Sequence, residues 1–180
     1  MNISDIHWSN IFIAVNKTAD SKLRDFQYKI IHRILSTNRL PYLYKIKNSP
    51  FCDECTETEE DLIHLFYSCP KKLKLWENFA NALSTKVNMY PYVNAENIIL
   101  GIYDETKDLE NTLILLVKRY IFINKSLKRE ITIKNLFYFL NRQRLLETNA
   151  INLRQKAKNE KKWSILGSLF QNLNMSGMKS

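Results

Sequence analysis

Residues 50–76 read PFCDECTETEEDLIHLFYSCPKKLKLW, and the fold is organised around them. Cys52, Cys55, His64 and Cys69 form the series C-x2-C-x8-H-x4-C. Three thiolates and one imidazole in tetrahedral array complete the ligand set of one structural Zn2+, with no position open for a substrate or an attacking water. The chain contains three cysteines, and all three fall in this series. The competing reading is a set of buried cysteines beside a solvent-facing histidine. A thioredoxin-like redox pair is disfavoured, because Cys52-Asp53-Glu54-Cys55 precedes no helix-like run and lies in an acidic stretch that raises thiol pKa values.

The loop itself carries Asp53, Glu54, Glu57, Glu59, Glu60 and Asp61 between the first ligand and the histidine. Three thiolates on one Zn2+ add a net charge of about −1. A phosphate backbone is repelled there, so the expected task of the knuckle is mechanical. It directs the exit of the next segment, where Lys71, Lys72 and Lys74 stand beside Trp76. Zinc binding then supplies folding energy to a segment with few apolar residues of its own.

Outside the knuckle, 180 residues suffice for one domain or two small ones. Only three glycines and four prolines interrupt several Leu/Ile/Phe-rich periodic stretches, which favours helices. The expected fold is mostly α, a small helical bundle with an embedded C-x2-C-x8-H-x4-C zinc knuckle. The charge of +9 is unevenly placed. Residues 118–180 carry 14 Lys/Arg against 3 Asp/Glu, whereas residues 1–117 carry 13 against 15. The asymmetry suggests a C-terminal half that faces a polyanion, with a merely solvated helical surface as the alternative. No run of 18 apolar residues occurs, so no membrane partner is expected, and the start MNISDIHWSN lacks a signal-peptide pattern. The odd cysteine count and its zinc spacing point to a reducing, intracellular setting.

Ile6–Val15 reads as helix or edge segment, with the four-residue spacing of Trp8 and Phe12 slightly favouring helix. Asp20 is an N-cap for a helix to about Leu35, with Leu23, Phe26, Ile30 and Ile34 as its apolar stripe and Lys22, Lys29 and Arg33 as a basic row opposite. That row can track phosphates or simply be solvated. Residues 40–44 (LPYLY) suggest a short helix presenting Tyr42 and Tyr44 near Lys45 and Lys47. Aromatics among lysines suit base stacking, and they equally suit packing beside a metal site. Leu62, Ile63, Leu65 and Phe66 form a helical turn that aims His64 at the metal. Pro70 opens a helix, Asn94 caps another that Gly101 ends, and 104–111 is an acidic boundary. The expected divisions are a zinc-knuckle domain over 1–103, a basic helical segment over 111–165 and a frayed tail over 166–180. Within the second part, 112–124 reads as a central helix, and Thr132 caps a helix burying Leu136, Phe137, Leu140 and Leu145. Arg154, Lys156, Lys158, Lys161 and Lys162 make the last helix the expected seat of nucleic-acid affinity.

No phosphate-binding glycine loop, nucleophile elbow or H-E-x-x-H occurs, and Tyr103-Asp104-Glu105 is not a polymerase aspartate pair, so no catalytic role is expected. The run from Lys22 to Phe79 resembles the zinc-binding region that follows the polymerase domain in reverse transcriptases of non-LTR (LINE-type) retrotransposons. The resemblance lies in a helix with Phe26, His32 and Leu35, then Cys52-x-x-Cys55, Glu59-Glu60, His64-Leu65-Phe66, Cys69-Pro70 and Trp76. It is strongest over 20–80 and looser over the later basic helices. It implies a part that binds element RNA and target DNA during target-primed cDNA synthesis, within a nuclear and cytoplasmic ribonucleoprotein. It further implies Cys52, Cys55, His64 and Cys69 as zinc ligands, and Lys71, Lys72 and Lys74 as candidate template or target contacts. The endonuclease and the polymerase fingers, palm and thumb of that family have no counterpart here, as in a C-terminal fragment, a truncated copy or a repurposed descendant. The alternative is a helical module that docks on the polymerase body or on a host factor.

Overall fold

A computed structural model describes residues 20–91, 93–102, 104–150, 160–167, 169 and 170. Helix α1, Ser21–Ile31, starts where Asp20 accepts the Lys22 N–H at 2.8 Å. It buries Leu23, Phe26, Gln27, Ile30 and Ile31. It ends four residues before the expected Leu35, because Arg33 turns left-handed at φ 56° and the N–H groups of Ile34 and Leu35 fold back onto the Lys29 carbonyl. That turn sends Ile34 outward, 56% exposed, and Leu35 inward. Helix α2, Arg39–Leu43, is little more than one turn.

Residues 62 and 63 open a helical turn that widens into a π-helical stretch, His64–Ser68, closed by the Cys69 N–H on the His64 carbonyl at 3.3 Å. The wide turn buries His64, Leu65 and Phe66 in succession. Pro70 then occupies the first turn of α3, Pro70–Val87, where its missing N–H costs nothing. The helix buries Leu75, Trp76, Phe79 and Leu83, and Asn88 ends it in a left-handed conformation. Helix α4, Ala95–Leu100, is capped by Asn94, which accepts the Asn97 N–H at 2.8 Å.

Helix α5, Asp108–Ser126, is the central element and begins inside the stretch read as an acidic boundary. It packs on α1, α4, the π-helical turn and the next helix, which explains why it is apolar on most sides. Helix α6, Ile133–Ala150, follows a turn in which Thr132 Oγ1 accepts the Asn135 N–H at 3.2 Å. Leu136, Phe137 and Leu140 are buried as expected, whereas Leu145 is 47% exposed: five residues past Leu140 it is about 140° further round the helix and leaves the buried face. One continuous cluster of buried side chains runs from Leu23 to Phe170, drawing on both sides of residues 104–111. Fraying from residue 166 is not what the structure shows: Leu166, Leu169 and Phe170 are buried with Trp163 in that cluster. The expectations for 1–19, 151–159 and 171–180 lie outside the described residues. Among the described residues the β content is one isolated antiparallel bridge, Phe51 to Glu59, and no helix is long and apolar enough to cross a membrane.

Candidate metal centre

Four local structures bring the ligands together. The Phe51–Glu59 bridge folds the loop back on itself, and the Cys52 N–H meets the Thr58 carbonyl at 2.9 Å. Cys52 and Cys55 stand on the tight turn inside it, where the Thr56 N–H bonds the Cys52 carbonyl at 2.9 Å and Thr56 is left-handed. His64 opens the π-helical turn, its N–H capped by Asp61 Oδ1 at 2.7 Å. Cys69 is the residue before Pro70, held extended at φ −63° and ψ 132°, as proline requires of its predecessor.

The ligand atoms of Cys52, Cys55, His64 and Cys69 all lie within 4.8 Å of one another, and Cys55 Sγ stands 3.2 Å from His64 Nε2. Tetrahedral bonds of about 2.3 Å to sulfur and 2.0–2.1 Å to nitrogen give edges of about 3.6–3.8 Å, so small side-chain adjustments close the site on a metal. The cysteines form no disulfide, and Cys52, His64 and Cys69 are buried while Cys55 is half-buried. This is a single Cys3His cluster able to hold one structural Zn2+, with every coordination position filled by protein. The competing picture of a solvent-facing histidine does not hold, because His64 is 3% exposed and its Nε2 faces Cys55.

Burial pushes the Cys52 thiol up to about 12, so a metal must displace its proton. Burial is the largest single influence on Cys55 and raises it, but hydrogen bonds from the backbone of Glu57 and Thr58 and from the Cys52 and Cys69 side chains together bring that thiol below its ordinary value. Metal binding at this site therefore releases protons and weakens as the solution is acidified.

The loop's carboxylates have partners that composition alone did not reveal. Glu54 pairs with the buried Lys72 of α3, and Glu60 pairs with Lys125 of α5. Glu60 Oε1 also accepts the Asn38 N–H at 2.9 Å. Asp53 meets Lys47 at 2.8 Å and Glu59 meets Arg39 at 3.8 Å. The acidic loop is thus strapped to α2, α3 and α5. Trp76 completes the strap by donating its indole N–H to the Phe66 carbonyl at 2.7 Å.

Lys72 is therefore turned inward on Glu54, 2% exposed, and is not placed to meet a template, whereas Lys71 and Lys74 are exposed. Lys22 and Arg33 are exposed, but Lys29 pairs with Asp25 at 2.7 Å and Arg33 leaves the helix axis at its left-handed turn. The basic row on α1 is broken at both places. Tyr42 and Tyr44 are 44% and 69% exposed, so they are surface groups and not packing for the metal. Lys161 is exposed, while Lys162 approaches Glu147 at 3.7 Å and lies over the Trp163 ring. Arg154, Lys156 and Lys158 lie outside the described residues. Sequence reasoning missed the roles of Glu54, Glu60 and Lys125, and their sole local signal was the excess of carboxylates in a segment otherwise short of core.

Fold and site together define a small helical domain built on one structural zinc site. Comparison with protein families, with curated proteins and with solved structures yields no match for this chain.

Proposed function

We propose that the chain is a non-catalytic nucleic-acid-binding zinc module. In this reading it is the C-terminal part of a non-LTR retrotransposon reverse transcriptase, positioning element RNA and target DNA for target-primed reverse transcription within a nuclear and cytoplasmic ribonucleoprotein. The observation that carries the reading is the distribution of charge. Four of the metal loop's carboxylates are spent on internal partners, while Lys71, Lys74, Lys128, Arg129 and Lys161 stand exposed in a chain of net charge +9. The zinc centre is the strap that holds the acidic loop in place and takes no part in contacting phosphate.

Two measurements test it. Protein purified without added zinc returns one Zn per chain, and Cys69→Ser, which removes a ligand fully buried at the start of α3, costs much of the helical signal. Single-stranded RNA and DNA bind with a dissociation constant that rises steeply with salt. A folded metal-free protein, or the absence of binding near 0.1 M salt, defeats the reading.

Docking on a polymerase body or host factor is favoured by one feature. Tyr42, Leu43, Tyr44 and Ile46 stand 44%, 64%, 69% and 79% exposed on a single turn. Changing these residues to serine discriminates: loss of base stacking lowers nucleic-acid affinity by about 1–3 kcal/mol per base with little change in salt dependence, whereas a docking face leaves nucleic-acid affinity unchanged.

A further inference from the structure

A cleft of about 980 Å3 opens between the start of α3, the turn joining α5 to α6 and the rim of the metal loop. Lys71 and Lys74 of α3 line one side, and Lys128 and Arg129 of the turn line the other. We propose that this cleft seats the phosphodiester backbone of a nucleic-acid strand, with those four side chains as its contacts. The proposal rests on the nucleic-acid reading above and adds where the strand lies.

Lys71 and Lys74 are three residues apart on a helix and so project from one face. Both are exposed, as are Lys128 and Arg129. The opposing wall is rigid. Lys128 is left-handed at φ 52°, its N–H bonds the Lys125 carbonyl at 3.0 Å, and the Arg129 N–H bonds the Asn124 carbonyl at 2.9 Å. Beyond it, the Tyr120 hydroxyl clamps Thr132, accepting its N–H at 3.1 Å and donating to its carbonyl at 3.2 Å. The side chains of the turn therefore spring from a fixed base, which lowers the entropy lost on binding.

Charge in the cleft is one-sided after its internal pairs are set aside. Of the lining carboxylates, Asp53 is taken by Lys47 and Glu54 by Lys72, which leaves Glu130. Lys125 is taken by Glu60. Among the described residues, Lys71, Lys74, Lys128 and Arg129 form no ion pair. A concave surface with four such cations focuses its field outward along the opening and favours a ligand of regularly spaced negative charge. A strand of regularly spaced phosphates offers a partner to each of the four cations. The metal loop's part is to occupy the cations beside it: Asp53 takes Lys47, Glu54 takes the buried Lys72 and Glu60 takes Lys125.

The test uses the full chain with zinc bound and a labelled single-stranded oligonucleotide, in RNA and DNA forms, read by anisotropy at about 50 and 200 mM salt. Four lost phosphate contacts on a single strand correspond to a change of about 2.8 in the slope of log K against log salt. Lys71→Gln, Lys74→Gln, Lys128→Gln and Arg129→Gln together should flatten the slope by about that amount. The wild-type chain should then lose about 50-fold more affinity than the variant across that salt range. Each two-residue variant, one per wall, should give about half the change, and these serve if the fourfold variant folds poorly. Wild-type binding with unchanged slope in both two-residue variants overturns the cleft but leaves the nucleic-acid reading standing. That result would be accompanied by a large loss on neutralising Arg154, Lys156, Lys158, Lys161 and Lys162. Failure of the wild-type chain to bind either oligonucleotide defeats the nucleic-acid reading, and the cleft with it.

Discussion

Glu60 answers two parts of the molecule at once: its carboxylate meets the Lys125 ammonium of α5 and caps the Asn38 N–H ahead of α2. Both Glu60 and Asn38 are buried, so the pair costs desolvation that only the full set of partners offsets. Glu60→Gln keeps an acceptor for Asn38 but strands the Lys125 charge, and should lower unfolding free energy by about 1–3 kcal/mol in urea titration. It should not weaken nucleic-acid binding. Lys118 poses the opposite case. It lies on α5, 1% exposed, with the Gln27 amide oxygen at 2.5 Å and the Ile99 carbonyl at 3.3 Å, and no carboxylate among these contacts. Burial brings its pKa down to about 7 from 10.5. Above the unfolded value the folded chain carries no penalty, and as pH falls toward about 7 the unfolded state binds a proton that the folded state refuses. Stability should therefore rise by a few kcal/mol from pH 7 to 10, at about 1.4 kcal/mol per unit. Lys118→Met should be more stable at pH 7 and should lose most of that rise, as urea midpoints across the range will show.

At the scale of the element, two helix ends decide what the periodicity of side chains could not. The apolar stripe of α1 continues in sequence to Ile34, yet the helix closes at Ile31 and Leu35 takes the inward place. Burial of Leu35 and the two hydrogen bonds to the Lys29 carbonyl compensate for a left-handed Arg33, a conformation that costs an L-residue roughly 1–2 kcal/mol. Arg33→Gly should consequently raise stability by about 0.5–1 kcal/mol, less than the full strain because glycine loses more backbone freedom on folding. Thermal unfolding of the zinc-bound protein measures it. The π-helical turn was legible only as a helical turn, since a wider turn depends on what holds its two ends. Here Asp61 caps one end and the extended Cys69 before Pro70 fixes the other.

Across the whole molecule, aromatic rings carry packing from the metal side to the far helices. Phe26 meets Phe66 edge-on at 6.0 Å and Phe122 at 5.5 Å, while Trp76 meets Phe79 within α3 at 6.2 Å and Phe79 meets Phe137 of α6 at 6.0 Å. Trp163, Leu166, Leu169 and Phe170 join this core, and the Trp163 indole N–H also donates to Glu147 of α6 at 2.9 Å. Trp163→Ala should cost about 3–5 kcal/mol and leave zinc content unchanged, because Trp163 is not among the ligands and its indole pairs with Glu147 of α6. Urea denaturation paired with metal analysis separates the two effects. A chain whose residues after 160 were frayed would tolerate the same change.

The sequence by itself determined the metal ligands, the helical class and most helix starts. Each of these is local: ligand spacing, a capping side chain or a proline acts within a few residues and leaves its mark on the string. Asp20, Asn94 and Thr132 all cap where their spacing says they should. Tertiary structure alone decided where the charges go. Glu54, Glu60 and Lys125 become partners only when the loop lies against α3 and α5, and Lys72 is spent by the same packing while Lys71 is not. The cleft walls, too, come from segments far apart in the chain. Pairing of charges follows distance through space and the burial around it, and one-dimensional order records neither.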